Sequence, residues 1–205
     1  MNPIQQQIVD RLSALPPDLA VIREHAQRYA RYCSSIATDE TLQIAHQPWE
    51  APESYALRLY APAKKAWFAG FTKRTGCQIP AAYRELLLSV NGCSVHDLDL
   101  FGLPPSLQAR VPTLDRTRSQ PLDLGAANLN WVHQYAKRDG EFHFGGRAWS
   151  DDENIGYFWG NHGLRALRAS GEVVGVWSDL PSLLRDELPV AERLVTEQTP
   201  AEWWH

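Results

Sequence analysis

The sequence predicts an α+β fold: a mixed, largely antiparallel sheet packed with helices, carrying a helical extension at its N-terminus. Three observations support this. Helical apolar spacing dominates up to residue 90, and the period drops from 3.6 to 2 just after Gly92. Four short aromatic or β-branched runs then follow between Gly, Asn and Asp turn signals, before one last helical stripe. Helices, then closely spaced strands, then a closing helix is not the alternation of βαβ units.

Each element has its own reason. In residues 4–14, Ile4, Ile8, Val9 and Leu12 share a helical face, and Pro16 and Pro17 stop that helix. A second helix is expected over about 18–36. Residues 37–60 hold Pro48 and Pro52 among scattered polar groups and read as an irregular connection or one short strand. The division into an extension, 1–60, and a main domain, 61–205, falls there. Pro62 opens the next helix, Ala63, Trp67 and Phe71 line it, and Gly76 ends it as a left-handed cap. Pro80 suits a first helical turn, Tyr83, Leu86, Leu87 and Val90 form one stripe, and Asn91 and Gly92 end the helix. Leu98 and Leu100 then alternate with Asp97 and Asp99 as a strand with one buried face.

The Pro-, Arg- and Ser-rich stretch 103–123 reads as a long loop, and 126–137 as a short helix with Leu129 and Trp131. "EFHFG", "IGYFW", "LRALRA" and "VVGVW" are the four later strands. Asp179 caps a closing helix whose Leu180, Leu183, Leu184 and Leu188 share a face.

Composition narrows the functional classes. A net charge of -4 argues against nucleic acid as the main partner and suits pairing with a basic protein. No apolar run reaches the ~18 residues a membrane helix needs, and no basic-then-apolar leader follows Met1, so the expected location is the cytoplasm. The 3 cysteines, Cys33, Cys77 and Cys93, lack metal-type spacing and read as small buried apolar residues.

The 7 histidines yield no catalytic pattern. His96, Asp97 and Asp99 are near enough in sequence to ligate a metal, but on a strand the two acids form the solvent face opposite Leu98 and Leu100. His143 alternates outward between Phe142 and Phe144, and with His133 reads as a surface or hydrogen-bonded histidine. No G-x-S-x-G, phosphate-binding loop, dinucleotide fingerprint or H-E-x-x-H occurs. No metal or cofactor is expected.

Of the 8 tryptophans, Trp67, Trp131, Trp159 and Trp177 fall at core positions. Trp49, Trp149, Trp203 and Trp204 fall in expected loops or tail, where aromatic residues favour binding surfaces. Trp149 beside the acidic run Asp151, Asp152, Glu153 is the partner-binding candidate, since an aromatic anchor next to an acidic turn suits a basic groove.

Gly76, Ile79, Pro80, Tyr83, Leu86, Leu87, Asn91, Gly92 and "LFGL" at 100–103 resemble the signature segment of the SUKH superfamily of bacterial immunity proteins and yeast cell-wall-synthesis regulators. The resemblance covers roughly residues 61–188. The chain departs from that pattern at Lys73 and Arg74, where an acid is common, and at Leu183 and Leu184, where Phe is usual. The resemblance implies a non-catalytic scaffold that neutralises a cognate polymorphic toxin domain, often a nuclease, by binding it in the producing cell. The alternatives are a regulatory adaptor and a small hydrolase using His96 or His143 with nearby carboxylates.

Overall fold

The computed structural model describes residues 2–105, 120–131, 135, 140–150 and 153–199. The described elements run α1 (Pro3–Ser13), a 3-10 turn (Pro17–Leu19), α2 (Ala20–Tyr29), β1 (Ser35–Ile36), β2 (Leu42–His46), β3 (Tyr55–Leu59), α3 (Lys65–Thr75), α4 (Ala81–Ser89), β4 (Cys93–Val95), β5 (Leu98–Leu100), α5 (Leu124–Leu129), β6 (Phe142–Ser150), β7 (Glu153–Gly160), β8 (Gly163–Arg168), β9 (Val173–Trp177) and α6 (Leu180–Gln198). All nine strands form one sheet in chain order, each antiparallel to the next. The predicted α+β class with an antiparallel sheet is what the chain adopts.

The N-terminal helices form where expected. Asn2 Oδ1 accepts from the Gln5 N–H at 2.8 Å while Gln5 Oε1 accepts from the Asn2 N–H at 3.0 Å, a reciprocal cap just before Pro3. These helices do not stand apart, because Ile8, Leu12, Leu19, Ile22 and Ala26 are buried in the common core. The second helix ends at Tyr29, short of the expected 36. Residues 37–60 supply the hairpin β2–β3 instead of a connection, with Pro48 and Pro52 in the turn between its strands. A proline interrupts a strand but not a turn, so the sequence boundary at 60 falls inside a continuous sheet.

The α4–β4 junction is built as its residues dictate. Gly76 ends α3 with φ 70°, and Pro80 occupies the cap position of α4. Gly92 has φ 80°, and a Cβ there would lie 2.4 Å from the Leu100 carbonyl oxygen. Asn91 is not a left-handed cap. It is buried, and its side chain donates to the Leu103 carbonyl at 2.9 Å and accepts from the Leu103 N–H at 2.8 Å. Tyr83, fully buried on α4, shares its O–H between the carbonyls of Phe101, 2.5 Å away, and Phe144, 2.9 Å away. Together these bonds pin the "LFGL" stretch between α4 and β6.

One sheet face is apolar and lies in the core: Leu42, Leu59, Cys93 and Leu100 pair across it, as do Ile44, Leu57, Val95 and Leu98. The helix α6 packs there through Leu180, Leu183, Leu184 and Leu188, is capped by Asp179 accepting from the Ser182 N–H at 2.8 Å, and continues through Pro189 to Gln198. Buried Arg147 donates to Glu187 on this face, and the Tyr157 hydroxyl donates to the same carboxylate at 2.5 Å.

Two expectations fail here. Cys33 is exposed, Cys77 is partly buried, and only Cys93 is a core residue. His143 is buried at 2 % exposure, because Phe158 stacks on it at 4.4 Å and Tyr135 and Trp131 close over it. Trp67, Trp131, Trp159 and Trp177 pack partly buried against the core as expected. The helix expected over 126–137 spans Leu124–Leu129 among the described residues.

Candidate functional site

The second face of the sheet is polar along its middle. Gln43 pairs with Arg58, Arg58 with Ser94, Ser94 with Asp99, Asp99 with Gly146 and Gly146 with Gly156, one rung per strand from β2 to β7. Strand alternation makes this unavoidable once Leu57, Val95, Leu98 and Leu100 face the core. At its β4–β7 end the ladder opens into a cleft of about 540 Å³. Ser94, Asp97 and Asp99 line one side of it and Phe101, Trp131, Tyr135 and His143 another, while Ala148 and Asn154 border it on β6 and β7.

The aromatic wall is a packed unit. The Phe101 ring meets Trp131 edge-on at 5.5 Å and His143 at 5.2 Å, and Tyr135 meets His143 at 5.4 Å. Asn128 holds the backbone of His143 in place, accepting from its N–H at 3.0 Å and donating to its carbonyl at 2.8 Å. Gly156 makes room for this wall, since a Cβ there would lie 3.0 Å from both the His143 and Tyr135 rings.

The acidic side is electrostatically costly. Burial pushes the Asp99 carboxyl up to about 6; the neighbouring Asp97 adds to the rise, and the Ser94 hydroxyl and the Arg58 charge oppose it. Burial and the charge of Glu50 raise Asp97 as well. Among the described residues no cationic group forms an ion pair with either acid. Two neighbouring carboxylates with no ion pair among the described residues, beside the partly exposed rings of Trp131 and Tyr135, favour a positively charged visitor.

A second polar cluster ties the N-terminal helices to the sheet. His96, in the β4–β5 turn with φ 53°, directs Nε2 at His25 Nε2, 2.9 Å away on α2. The Arg28 guanidinium donates to His25 Nδ1 at 2.5 Å, so His25 donates through Nε2 and His96 accepts. Glu192 on α6 completes the group, accepting from the Tyr29 hydroxyl at 2.6 Å and lying 3.4 Å from Arg28. The donor set His25, His96, Glu192 is one that can hold a transition metal. The geometry is that of a hydrogen bond instead: the ring centroids are 5.1 Å apart, about the N···N distance plus both ring radii, so the nitrogens face head-on rather than converging on a third point. Burial lowers both histidines to about 4, which keeps the pair neutral.

The partner-binding candidates chosen from sequence lie beside the cleft in part. Trp149 belongs to β6, and Glu153 begins β7 with its carboxylate 3.8 Å from Arg168 Nε. Their neighbours Ala148 and Asn154 line the cleft. Asp151 and Asp152 lie outside the described residues, as do His133, Trp203 and Trp204. The residues read as an unremarkable solvent face, Asp97 and Asp99, form the acidic side of the cleft, together with Ser94. The pairing of Ser94, Asp99 and Gly146 across three strands leaves no local sequence signal. No helix among the described residues is long and apolar enough to cross a membrane. Comparison with family profiles, with curated proteins and with solved structures finds no match.

Proposed function

We propose that this chain is a cytoplasmic, non-catalytic immunity protein that neutralises a cognate toxin domain by binding it, as its resemblance to the SUKH superfamily implies. The observation that carries the reading is the cleft: an acidic, aromatic-walled opening on a sheet whose other face is packed against helices. An inhibitor requires a rigid scaffold and a complementary surface, and Asn91, Gly92 and Tyr83 build the scaffold while the polar ladder supplies the surface. Of the partner-binding candidates Trp149, Asp151, Asp152 and Glu153, Trp149 and Glu153 are chain neighbours of Ala148 and Asn154 on the border of that surface, and the net charge of -4 suits a basic partner such as a nuclease.

A hydrolase built on His96 or His143 with Asp97 and Asp99 has less support, although all four line the same cleft. The Nε2 of His96 is engaged by His25, and His143 is stacked beneath Phe158. The deciding experiment is co-expression of this chain with the C-terminal domain encoded by the neighbouring gene. Copurification together with rescued growth supports the immunity reading; a pair that neither associates nor rescues ends it for that neighbour. An enzymatic activity that disappears in a folded His143→Ala variant favours the hydrolase.

A further inference from the structure

We infer that the cleft on the second sheet face is a seat for a single arginine side chain presented by a basic protein partner. The inference rests on the protein-binding function proposed above and adds the chemistry of the anchor. The seat has two unlike ends, and a guanidinium matches both. Asp99 and Asp97 offer carboxylate oxygens, with Ser94 adjacent on the paired strand. Phe101, Trp131 and Tyr135 offer ring edges and faces on which a planar cation stacks.

Charge bookkeeping points the same way. Among the described residues, the charged groups that act on the two acids from outside the pair are Arg58 on β3, which eases Asp99, and Glu50, which raises Asp97. Arg147 borders the cleft from β6, but its guanidinium is committed to Glu187 on the opposite, helical side. The local sum is therefore negative, in a partly desolvated setting where an added cation is attracted more strongly than in water. The Asp99 carboxyl, held at about 6, becomes fully ionised when a cation sits beside it.

A guanidinium fits better than an ammonium, because its fork spans Asp99 and a neighbouring oxygen while its plane lies on a ring. A protein partner fits better than a free small molecule, because the ladder continues from the cleft through Ser94 and Arg58 as a part-exposed polar row. An anchor in a pocket surrounded by a polar rim is how protein interfaces concentrate affinity.

The test uses Nα-acetyl-arginine methylamide as probe, followed by tryptophan fluorescence and calorimetry on the full chain. Saturable binding with a Kd of about 1–10 mM is expected, weaker by at least about fivefold for the lysine analogue. Asp99→Asn and, separately, Trp131→Leu each weaken the probe about tenfold or more, with each variant's fold verified by its urea transition. Absence of saturation below about 50 mM, or equal binding by wild type and Asp99→Asn, overturns the seat. Growth rescue by a wild type that does not bind the probe removes the seat and leaves the immunity function standing. Probe binding with neither copurification nor rescue does the reverse.

Discussion

A carboxylate kept in an unfavourable place predicts that its removal makes the fold stronger. Asp99 is raised from 3.8 to about 6, mainly by desolvation, a shift equivalent to about 3 kcal/mol. Its side is partly open to the cleft, and solvent screening reduces this to about 1–2 kcal/mol. The sign follows from the raised acid. The folded state holds its proton more tightly than the unfolded chain, so the penalty is absent below 3.8, grows between 3.8 and 6, and is complete above. Asp99→Asn keeps an oxygen for the Ser94 hydroxyl and removes the charge. Urea unfolding at pH 7.5 should show a gain of about 1–2 kcal/mol with unchanged m, shrinking towards zero near pH 4. A loss of stability at pH 7.5, or a gain that does not depend on pH, refutes the electrostatic account. A residue whose removal stabilises the scaffold is one retained for another purpose.

Four further outcomes follow from the geometry. His25 and His96 are lowered to about 4, so acid favours the unfolded chain between 6.5 and 4 by about 2 kcal/mol for each between pH 7 and 4.5; His96→Asn, which tolerates the positive φ, should flatten that slope in urea titrations. Asn91→Ala removes both bonds to Leu103 and should lower unfolding free energy by about 2–3 kcal/mol; a loss under about 0.5 kcal/mol would show that the staple contributes little. Gly92→Ala should cost more than about 2 kcal/mol, or prevent folding, whereas Gly76→Ala, at a similar φ but in open space, should cost only about 1 kcal/mol; equal costs would contradict the close approach to Leu100. Glu187→Ala should destabilise by about 3–5 kcal/mol, while the paired replacement Arg147→Met with Glu187→Leu recovers most of that loss; thermal melts of both distinguish an unpaired buried charge from simple loss of packing.

Elements whose cues are local could be read from the chain alone. Gly76 with its positive φ, the stripe of Tyr83, Leu86 and Leu87, and the cap at Asp179 act within one turn of themselves. The hairpin β2–β3 was hidden because Pro48 and Pro52 speak for the turn and the short runs around them look unpatterned. His143 was misjudged because alternation assumes one wet face, and here Phe158, Tyr135 and Trp131 cover the second. The cleft escaped for a related reason. Asp97, in the β4–β5 turn, and Asp99, on β5, look like ordinary outward residues in the sequence, and only the neighbours contributed by β4, β6 and the segment after α5 turn them into a wall. The segment of Trp149 and Glu153 stands out in the sequence by its composition, and the structure sets its neighbours Ala148 and Asn154 on the cleft's border.

The order of the strands has a temporal meaning. Each described strand is bonded to the one before it in the chain, so the sheet can grow strand by strand as the chain emerges. Only the apolar face must wait, until Leu183, Leu184 and Leu188 arrive on the last helix to cover Val95 and Leu98. A sheet assembled this way has its polar ladder complete before α6 is made, and the arrival of α6 is the step that seals the apolar face.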